Sequence, residues 1–396
     1  MRVLVVSHMY PSPGVERHLF VHEQNRALRE LGVEISVVSP TPYAPRLLWR
    51  DPRQRRRGQK PRRALRDGIA AEYPRVPQLP RRLLFDRLGD LAYPVVRRAA
   101  AVRSGGIDLI HAHQALPDGA IAQRLARDLG VPYVVTVHGA DVYQHLPRGG
   151  GAGRRAAAVL GDAAGIMANS SAVARLLRGT VRAERLHVVL NGTTGAGAKV
   201  APARDLFPGE PLLLTVGYFI ERKGHAVVLD ALALLAARGL RPHWAIVGEG
   251  VLHDALVRQT QELELTDTVH FLGRQPHGRV LELMARAEVF VLVSWNEAFG
   301  LVYTEAMMQG TPVVACRGEG PGDFIEHGVS GFLVPARDHE ALAGVIATAL
   351  DDHAAAAAVG EAGRAAAAAL TWERNARLTL SVYEQALARR AAKRYP

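Results

Sequence analysis

Two glutamates, Glu297 and Glu305, stand eight positions apart in the stretch NEAFGLVYTEAM. The apolar run EVFVLVS before them predicts a buried strand, and a helix is predicted to begin near Gly300 and to end before Gly310, a residue that can take the left-handed conformation after a helix. Glu297 then falls in the strand-to-helix turn and Glu305 in the second helical turn. Glutamates near a helix start are common on structural grounds alone, so this spacing leaves the function of the pair open.

The start of this helix could bind an anion. Backbone N–H groups near Phe299, Gly300 and Leu301 are predicted to form an uncapped helix N-terminus, and phosphate is the usual occupant of such a site. Carboxylates on both sides of a phosphate are unfavourable unless each accepts hydrogen bonds from hydroxyl groups. A nucleotide sugar provides those hydroxyls, with its sugar ring on one side and its ribose on the other.

The rest of the chain predicts the fold that positions these residues. At 396 residues the chain is long enough for two domains. Short apolar runs such as RVLVV and YVVTV alternate with helical patterns, which is typical of parallel strands with crossover helices. The Gly-, Ala- and Pro-rich residues 193–210 interrupt this alternation. We therefore predict two doubly wound Rossmann-like domains, residues 1–192 and 211–371, a linker at 193–210, a ligand cleft between the domains, and a C-terminal helical segment at 372–396.

Composition is that of a globular protein, with 48% hydrophobic and 22% charged residues. No apolar run approaches the length of a membrane-spanning helix, and the N-terminal run is too short for a secretory signal. The single cysteine, Cys316, lies in the apolar run TPVVAC and is predicted to be a buried thiol in a reducing compartment. These features predict a cytoplasmic protein.

The net charge of +11 is unevenly distributed, because residues 46–67 hold ten Arg or Lys against two Asp. Prolines and weak periodicity predict a loop here. Such a loop favours nucleic acid, an anionic lipid surface or a phosphorylated substrate, or is simply solvated. The following segment, RRLLFDRLGDLAYPVVRRAAAVR, fits a helix on a membrane surface or one facing the core. No aromatic stacking platform or nucleic-acid-binding module accompanies the charge, so nucleic acid is not the expected partner.

The stretch SWNEAFGLVYTEAMMQGTPVVA closely resembles the E-x7-E signature of the retaining nucleotide-sugar glycosyltransferases of family 4, which have the GT-B fold. Further blocks resemble that family in its own order: FVHEQNRALRELG, DLIHAHQALPDG, VVTVHGADV, VLNG, VGYFIERKGH, VGEG and HGVSGFLVP. The late TWERNA and VYEQAL resemble its final helix, which crosses back to the N-terminal domain.

The resemblance implies a role for each matching residue. Glu305 would bind the ribose hydroxyls, Glu297 the donor sugar, Lys223 the diphosphate, and His138 the far hydroxyl of the donor sugar. The same resemblance implies transfer without a metal or other cofactor, although His111 and His113 at the end of a strand also invite a metal interpretation. The helix N-terminus at Phe299, Gly300 and Leu301 would offer N–H groups to the sugar and phosphates.

Other positions are assigned less directly or depart from the family. Gly248 in VGEG is expected to pack the backbone near the nucleotide, and Arg274 is a candidate for base choice. Tyr218 stands where many members carry a diphosphate-binding arginine; Arg222 is a candidate substitute, although its side chain is expected to point elsewhere. Arg17 and His18 replace residues of an early, often glycine-containing loop, near the acceptor or phosphate entrance.

Together these features predict transfer of a hexosyl unit from a UDP- or GDP-sugar to an acceptor hydroxyl. The basic residues 46–67 suggest a lipid-linked or anionic glycan acceptor in cell-envelope or polysaccharide synthesis, reached by a peripheral protein at the inner membrane face. A nucleotide-sugar epimerase of the same fold and, more remotely, a nucleic-acid-binding protein are the alternatives. The sequence pattern specifies no oligomeric state.

Overall fold

The structure, a computed structural model, describes residues 1–13, 18–43, 60–77, 85–147, 149–193, 199–203 and 205–394. The chain divides into two compact units. Residues Met1–Gly192 and Trp372–Pro396 form the N-terminal unit, and Thr193–Thr371 form the C-terminal unit. Each unit has a predominantly parallel sheet with helices, which confirms the predicted fold class of two Rossmann-like domains.

The sheet of the N-terminal unit has the strand order β10-β9-β8-β7-β1-β2-β5-β4, and β3 pairs separately with β6. Every residue of Leu109–His113 and of Tyr133–Val137 is buried, as expected for parallel strands covered on both faces. The strands are β1 Arg2–Val6, β2 Glu34–Val38, β3 Thr41–Tyr43, β4 Arg63–Arg66, β5 Ile69–Glu72, β6 Arg75–Pro77, β7 Leu109–His113, β8 Tyr133–Val137, β9 Gly165–Ala168 and β10 Leu186–Val188.

The predicted basic loop, residues 46–67, is only partly described. Residues 46–59 lie outside the described residues, but Arg63–Arg66 form β4, which pairs antiparallel with Ile69–Glu72. The prediction of a loop is therefore wrong at this end of the segment. The strand Arg63–Arg66 has no buried residue, and its leucine, Leu65, is on the exposed side. The sequence therefore lacks the alternation of apolar and polar residues that predicts a strand.

The helices of the N-terminal unit bury apolar side chains. The helix Leu88–Val96 buries Ala92, Tyr93 and Val96. This burial favours the core-facing alternative for the segment RRLLFDRLGDLAYPVVRRAAAVR. Those before the linker are α1 Leu19–Glu30, α2 Leu88–Val96, α3 Ala100–Arg103, α4 Ala120–Leu129, α5 Gly150–Asp162 and α6 Ser171–Leu177.

The C-terminal unit has a fully parallel sheet of order β13-β12-β11-β14-β15-β16. Its core contains Trp244, Leu229 and the predicted buried thiol Cys316, whose pKa burial raises to about 12. The strands are β11 Leu212–Val216, β12 His243–Val247, β13 Val269–Gly273, β14 Val289–Val291, β15 Val313–Cys316 and β16 Phe332–Val334. The helices are α7 His225–Ala237, α8 His253–Glu262, α9 His277–Arg286, α10 Leu301–Met308, α11 His339–Asp351 and α12 His353–Ala368.

The last helix, α13 (Trp372–Arg394), belongs to the N-terminal unit, as the family resemblance predicted. Gln24 Nε2 donates to Asn375 Oδ1 at 2.7 Å, and Asn375 Nδ2 donates to the Leu190 carbonyl at 2.7 Å. Tyr383 is fully buried, and its hydroxyl lies 2.7 Å from His111 Nδ1 on β7. Polar contacts as well as apolar packing thus hold this helix against the rest of the N-terminal unit.

Within the described ranges, no single helix is both long and apolar enough to cross a membrane. The two consecutive helices His339–Asp351 and His353–Ala368 reach that length and composition only when taken together, and they are bent by 105°.

Candidate active site

Each large sheet has one point where its strand order reverses. In the N-terminal unit this point lies between β1 and β7, and in the C-terminal unit it lies between β11 and β14. The loops that leave the carboxyl ends of two such strands diverge to opposite faces of the sheet, and open α/β sheets bind ligands in the crevice this creates. Most of the candidate residues are found at these two points.

The turn after β14 contains Glu297, as predicted. Asn296 (φ 54°) and Gly300 (φ 79°) both adopt left-handed conformations in this turn, and α10 begins at Leu301. A Cβ atom at Gly300 would lie 2.4 Å from the Tyr303 ring, so only glycine fits without a shift. No side chain caps α10, and Gly310 follows it with φ 81°. The predicted start, the uncapped N-terminus and the glycine stop are confirmed.

Glu297 and Lys223 are paired across the switch point. Lys223 Nζ donates to Glu297 Oε2 at 2.6 Å, and only 13% and 11% of the two side chains are exposed. Ser294 Oγ donates to the same carboxylate oxygen at 3.1 Å, while the Glu297 backbone N–H donates to Glu319 Oε2 at 2.9 Å. The carboxylate is therefore held in one place by the turn, by a hydroxyl and by a cation.

The charge state of Glu297 follows from these contacts. Burial raises the pKa of its carboxyl group. The charge and hydrogen bond of Lys223, the charge of Arg222 and the hydrogen bond from Ser294 together lower the pKa by more than burial raises it, so that it lies below its usual value. Glu297 is an anion whose charge Lys223 largely neutralises. A ligand phosphate near Lys223 would have to share the Lys223 ammonium group with Glu297.

Arg222 lies on the same side of the turn. Its Nη1 donates to the Asn296 carbonyl at 3.3 Å, its own carbonyl accepts from Trp295 N–H, and its charge contributes to the lowered pKa of Glu297. The side chain therefore lies beside the turn that contains Glu297, and its role toward a diphosphate stays a prediction. The short helix Glu221–Lys223 brings both cations to one place.

Glu305 lies in the second turn of α10 and is half-buried. Burial raises the pKa of its carboxyl group, and His277 lowers it by a smaller amount. Over the described part of the chain, the Glu305 carboxylate makes no hydrogen bond and no ion pair. Its oxygens are not fully enclosed, so they are accessible to the hydroxyl groups of a ligand.

The loops after β11 and β12 pack backbone against backbone. Gly248 N–H donates to the Gly273 carbonyl at 2.9 Å, and a Cβ atom at Gly248 would lie 1.9 Å from the Gly217 carbonyl oxygen. This is the close packing expected for VGEG. Tyr218 is 54% exposed at the carboxyl end of β11. Arg274 is also exposed, and its Nη1 donates to Glu249 Oε1 at 3.3 Å.

In the N-terminal unit, His138 follows β8 and pairs with His113 at the end of β7. His113 Nδ1 and His138 Nε2 lie 2.9 Å apart. Burial and the neighbouring histidines hold the pKa of both rings well below the usual value, so both are neutral. His138 Nδ1 is buried without a hydrogen-bond partner.

His111, the other member of the pair considered for metal binding, has both ring nitrogens engaged. Nδ1 lies 2.7 Å from the Tyr383 hydroxyl and Nε2 lies 2.7 Å from Thr136 Oγ1. Burial lowers the pKa of His111 to about 3. Within the described ranges, no group of three or more His, Cys, Asp or Glu side chains is arranged to hold a metal ion.

The sequence reasoning missed His8 and Asp118 at the first switch point. His8 Nδ1 lies 2.8 Å from Asp118 Oδ2, and the His8 backbone N–H also contacts this carboxylate at 3.1 Å. Burial lowers the pKa of His8, but the charge and hydrogen bond of the buried Asp118 more than offset it, so the pKa is raised. A histidine directly after the first predicted strand was the available signal.

The two acceptor-side candidates are described unequally. Arg17 lies outside the described residues. His18 (φ 59°) precedes α1, and its ring lies 5.6 Å from that of Phe20, whose ring is 5.0 Å from that of His138. Phe20 thus contacts the rings of both His18 and His138.

Two family models cover most of the chain. The model described as Glycosyltransferase Family 4 matches residues 14–194, and the one described as Glycosyl transferases group 1 matches residues 200–366. Their junction falls between residues 194 and 200, close to the boundary of the two units. Both halves of the chain therefore match glycosyltransferase families.

Individual proteins agree with this assignment. The chain is 31% identical over 422 residues to a glycogen synthase of Mycobacterium tuberculosis, covering 100% of this chain and 97% of the relative. It is 34% identical over 178 residues to the lipopolysaccharide core biosynthesis glycosyltransferase LpsE of Rhizobium meliloti, covering 44% of this chain and 51% of that one. The structure of Anabaena HepE in complex with UDP and glucose superposes with a TM-score of 0.73, at 23% identity, covering 96% of this chain and 99% of HepE. The switch-point geometry, the two family models and the full-length relative together establish that this chain belongs to the family 4 glycosyltransferases of GT-B fold.

Proposed function

We propose that this glycosyltransferase moves a hexosyl unit from a UDP- or GDP-sugar to an acceptor hydroxyl with retention of anomeric configuration and without a metal ion. The observation that carries the proposal is the arrangement at the C-terminal switch point. A cation pair (Arg222 and Lys223), a paired carboxylate (Glu297) and a half-buried carboxylate without a donor (Glu305) surround the uncapped start of one helix.

The donor nucleotide fits this arrangement by charge and by hydrogen bonding. Glu305 accepts hydrogen bonds from the ribose hydroxyls through a half-buried carboxylate that makes no hydrogen bond within the described residues. Lys223 and Arg222 face the diphosphate, and the backbone N–H groups of α10, with Phe299, Gly300 and Leu301 at its start, add the helix dipole. HepE, whose structure contains UDP and glucose, shares this fold and supports a UDP-sugar as donor.

Glu297 and His138 are each assigned to the donor sugar in this proposal. Glu297 accepts hydrogen bonds from sugar hydroxyls, and the unpartnered Nδ1 of His138 bonds the hydroxyl at the far end of the ring. Gly248 allows the backbone after β12 to approach the nucleotide, and Arg274, exposed beyond β13, contributes to the choice of base.

The transfer step needs few protein groups. The bond between the anomeric carbon and the diphosphate oxygen breaks, the acceptor oxygen bonds to the same face of the anomeric carbon, and the acceptor proton passes to the departing diphosphate oxygen. Lys223 and the helix N–H groups stabilise the negative charge that develops on that oxygen. No side chain is assigned as a covalent nucleophile.

The acceptor is proposed to be a lipid-linked or anionic glycan. The partial similarity to LpsE, a lipopolysaccharide core biosynthesis enzyme, supports such an acceptor. The ten basic residues of 46–67 would hold the protein at an anionic membrane surface, and Arg17 and His18 would lie on the acceptor side. The similarity to a glycogen synthase supports polysaccharide synthesis more generally.

Thermal stabilisation by UDP-, GDP-, ADP- and TDP-sugars tests the donor site, with Glu305→Ala as control. A shift with UDP or GDP compounds that is lost in the variant is expected. Stabilisation by no nucleotide, or the same stabilisation in Glu305→Ala, would contradict the donor site. The anomeric configuration of the product tests retention, and activity after chelation tests metal independence. Conversion of the donor to an epimer without acceptor would identify an epimerase instead.

A further inference from the structure

His113 is enclosed where β7 ends and bonds directly to the proposed sugar-binding histidine. It is 0% exposed. Its Nδ1 lies 2.9 Å from His138 Nε2, the two ring centroids are 5.2 Å apart, and the ring planes differ by 5°. This geometry is that of two nearly coplanar imidazoles joined by an in-line hydrogen bond. The plane of the His138 ring is therefore tied to that of His113.

The hydrogen bond also links the tautomers of the two rings. Burial and the neighbouring histidines keep both rings neutral, and a neutral imidazole has one N–H and one acceptor nitrogen. When one ring donates across the bond, the other must accept. The two outer nitrogens, His113 Nε2 and His138 Nδ1, both buried and without a partner, then have opposite character: one carries a proton and the other a lone pair.

His113 is itself supported by residues far along the chain. The ring of His111 packs 4.4 Å from that of His113, and both nitrogens of His111 are fixed by Tyr383 on α13 and Thr136 on β8. A ring held in this way has little freedom to rotate. The support extends from the last helix through His111 to His113 and then to His138.

We propose that His113 is a positioning residue for the transfer reaction, one that fixes the plane of the His138 ring and couples the tautomer of His138 to its own. His138 Nδ1 is then held in one orientation toward a hydroxyl of the donor sugar, and its hydrogen-bonding character is set together with that of His113 Nε2. This inference rests on the proposed role of His138, and His113 itself touches neither substrate nor leaving group in it.

A matched pair of variants separates hydrogen bonding from packing. In His113→Asn an amide lies near the position of Nδ1 and can donate or accept, whereas His113→Leu has a similar shape and can do neither. We expect kcat to fall about 10- to 100-fold in His113→Leu, with a smaller change in donor KM, and about fivefold or less in His113→Asn. Equal losses in the two variants, with equal melting temperatures, would overturn the proposal.

A double-mutant cycle tests whether His113 acts through His138. If it does, His113→Leu should cost little further activity in a His138→Ala background, so the two losses should not multiply. Losses that multiply would show that His113 acts independently and would overturn the proposal.

Nitrogen NMR of the [15N]histidine-labelled full-length protein provides a readout that needs no activity. We expect Nε2 of His138, assigned with His138→Ala, to show the shift of a hydrogen-bonded ring nitrogen in the wild type and in His113→Asn. A different Nε2 shift, that of a nitrogen without this bond, is expected in His113→Leu. The same Nε2 shift in all three proteins would overturn the proposal. Because this measurement uses no sugar nucleotide, failure of the proposed function would leave it unaffected.

Discussion

Lys223 Nζ lies 2.6 Å from Glu297 Oε2, and both side chains are largely shielded from water. The pair joins the turn after β11 to the turn after β14, the two strands that flank the switch point of the C-terminal unit. A diphosphate bound here would draw on the same ammonium group that neutralises Glu297. Donor binding and the charge balance around Glu297 are therefore linked through one cation.

Replacing Lys223 with Met should destabilise the protein and abolish donor binding. Removing one partner leaves a buried carboxylate without its counter-charge, which typically costs about 3 kcal/mol. The expected result is a lower midpoint of urea unfolding at pH 7.5 and no stabilisation by UDP- or GDP-sugars. Lys199→Met is the matched control, because the Lys199–Glu361 pair is about half exposed and should contribute about 1 kcal/mol at most.

The destabilisation by Lys223→Met should depend on pH. In the wild type the pKa of Glu297 is lowered. The ionised Glu297 therefore contributes to stability above the unfolded-state pKa of about 4.3, and this contribution is lost as the pH falls through the lowered pKa. In the variant, burial favours the protonated acid. The difference between the two proteins should shrink as the pH is lowered from 7.5 to 4.5, and a constant difference would contradict the role of the ion pair.

Replacing Glu305 with Gln should weaken donor binding without destabilising the empty enzyme. Losing a charged acceptor of the ribose hydroxyls typically reduces affinity about 10- to 100-fold. Burial raises the pKa of Glu305, which means that the ionised carboxylate is disfavoured in the folded state above the unfolded-state pKa. The neutral amide should therefore leave the melting temperature unchanged or raised. Titration calorimetry with UDP and a thermal melt without ligand check both parts, and Glu262→Gln on α8 is the exposed control.

The pH dependence of donor binding follows from the same carboxyl group. Since its pKa is raised, the carboxylate should become protonated at a higher pH than an ordinary glutamate, and donor KM should increase as the pH falls through that raised value. The Gln variant should lose this dependence. A wild-type KM that stays constant from pH 7.5 to 5 would argue against Glu305 as the ribose ligand.

Replacing Tyr218 with Arg should strengthen donor binding. Tyr218 directly follows Gly217 at the carboxyl end of β11. Gly217 is close to Lys223, because a Cβ atom added to Gly217 would lie 3.8 Å from Lys223 Cδ. A guanidinium there would add a charged contact to the diphosphate, and at an exposed position we expect roughly a three- to tenfold gain in UDP affinity. Val251→Arg, at a position that is 88% exposed, adds the same charge nearby. An equal gain from both variants would indicate a general electrostatic effect.

Much of this site could be predicted because its local signals agree with one another. A buried strand, a turn, a helix start and a glycine stop are all encoded within residues 288–310, so Glu297 and Glu305 could be placed without tertiary information. Burial of Cys316 followed from its apolar neighbours in the same way. The order of the strands, and therefore the two switch points, depends on which strands pair, and no local pattern specifies that.

The residues that were missed are those defined by contacts between distant segments. His8 and Asp118 are 110 positions apart, and His111 and Tyr383 are 272 positions apart. The position of the Arg222 side chain depends on the fold of the turn at Asn296, 74 positions away, and not on its neighbours in sequence. Strand β4 was missed because a half-exposed edge strand of arginines has no apolar alternation.

Replacing His8 with Gln should remove a pH-dependent part of the stability. The raised pKa of His8, caused by Asp118, means that its contribution is fully present below the unfolded-state value of about 6.5 and is lost as the pH rises through the raised pKa. The melting temperature of the variant should therefore differ most from that of the wild type near pH 6 and least near pH 9. Asp118→Asn should remove the same dependence, and a difference that grows toward alkaline pH would contradict the ion pair.

Replacing Arg55, Arg56 and Arg57 together with Ser should weaken binding to anionic vesicles. These arginines lie outside the described residues, and the expectation comes from the charge of residues 46–67. A basic residue near an anionic surface contributes about 1 kcal/mol, so the triple variant should lose roughly 100-fold in affinity for phosphatidylglycerol-containing vesicles. Vesicle sedimentation measures this, with exposed Arg182, Arg238 and Arg258 changed to Ser as the control of equal charge. Equal loss in both variants would indicate that net charge alone attracts the protein, and unchanged binding would contradict a membrane role for the segment.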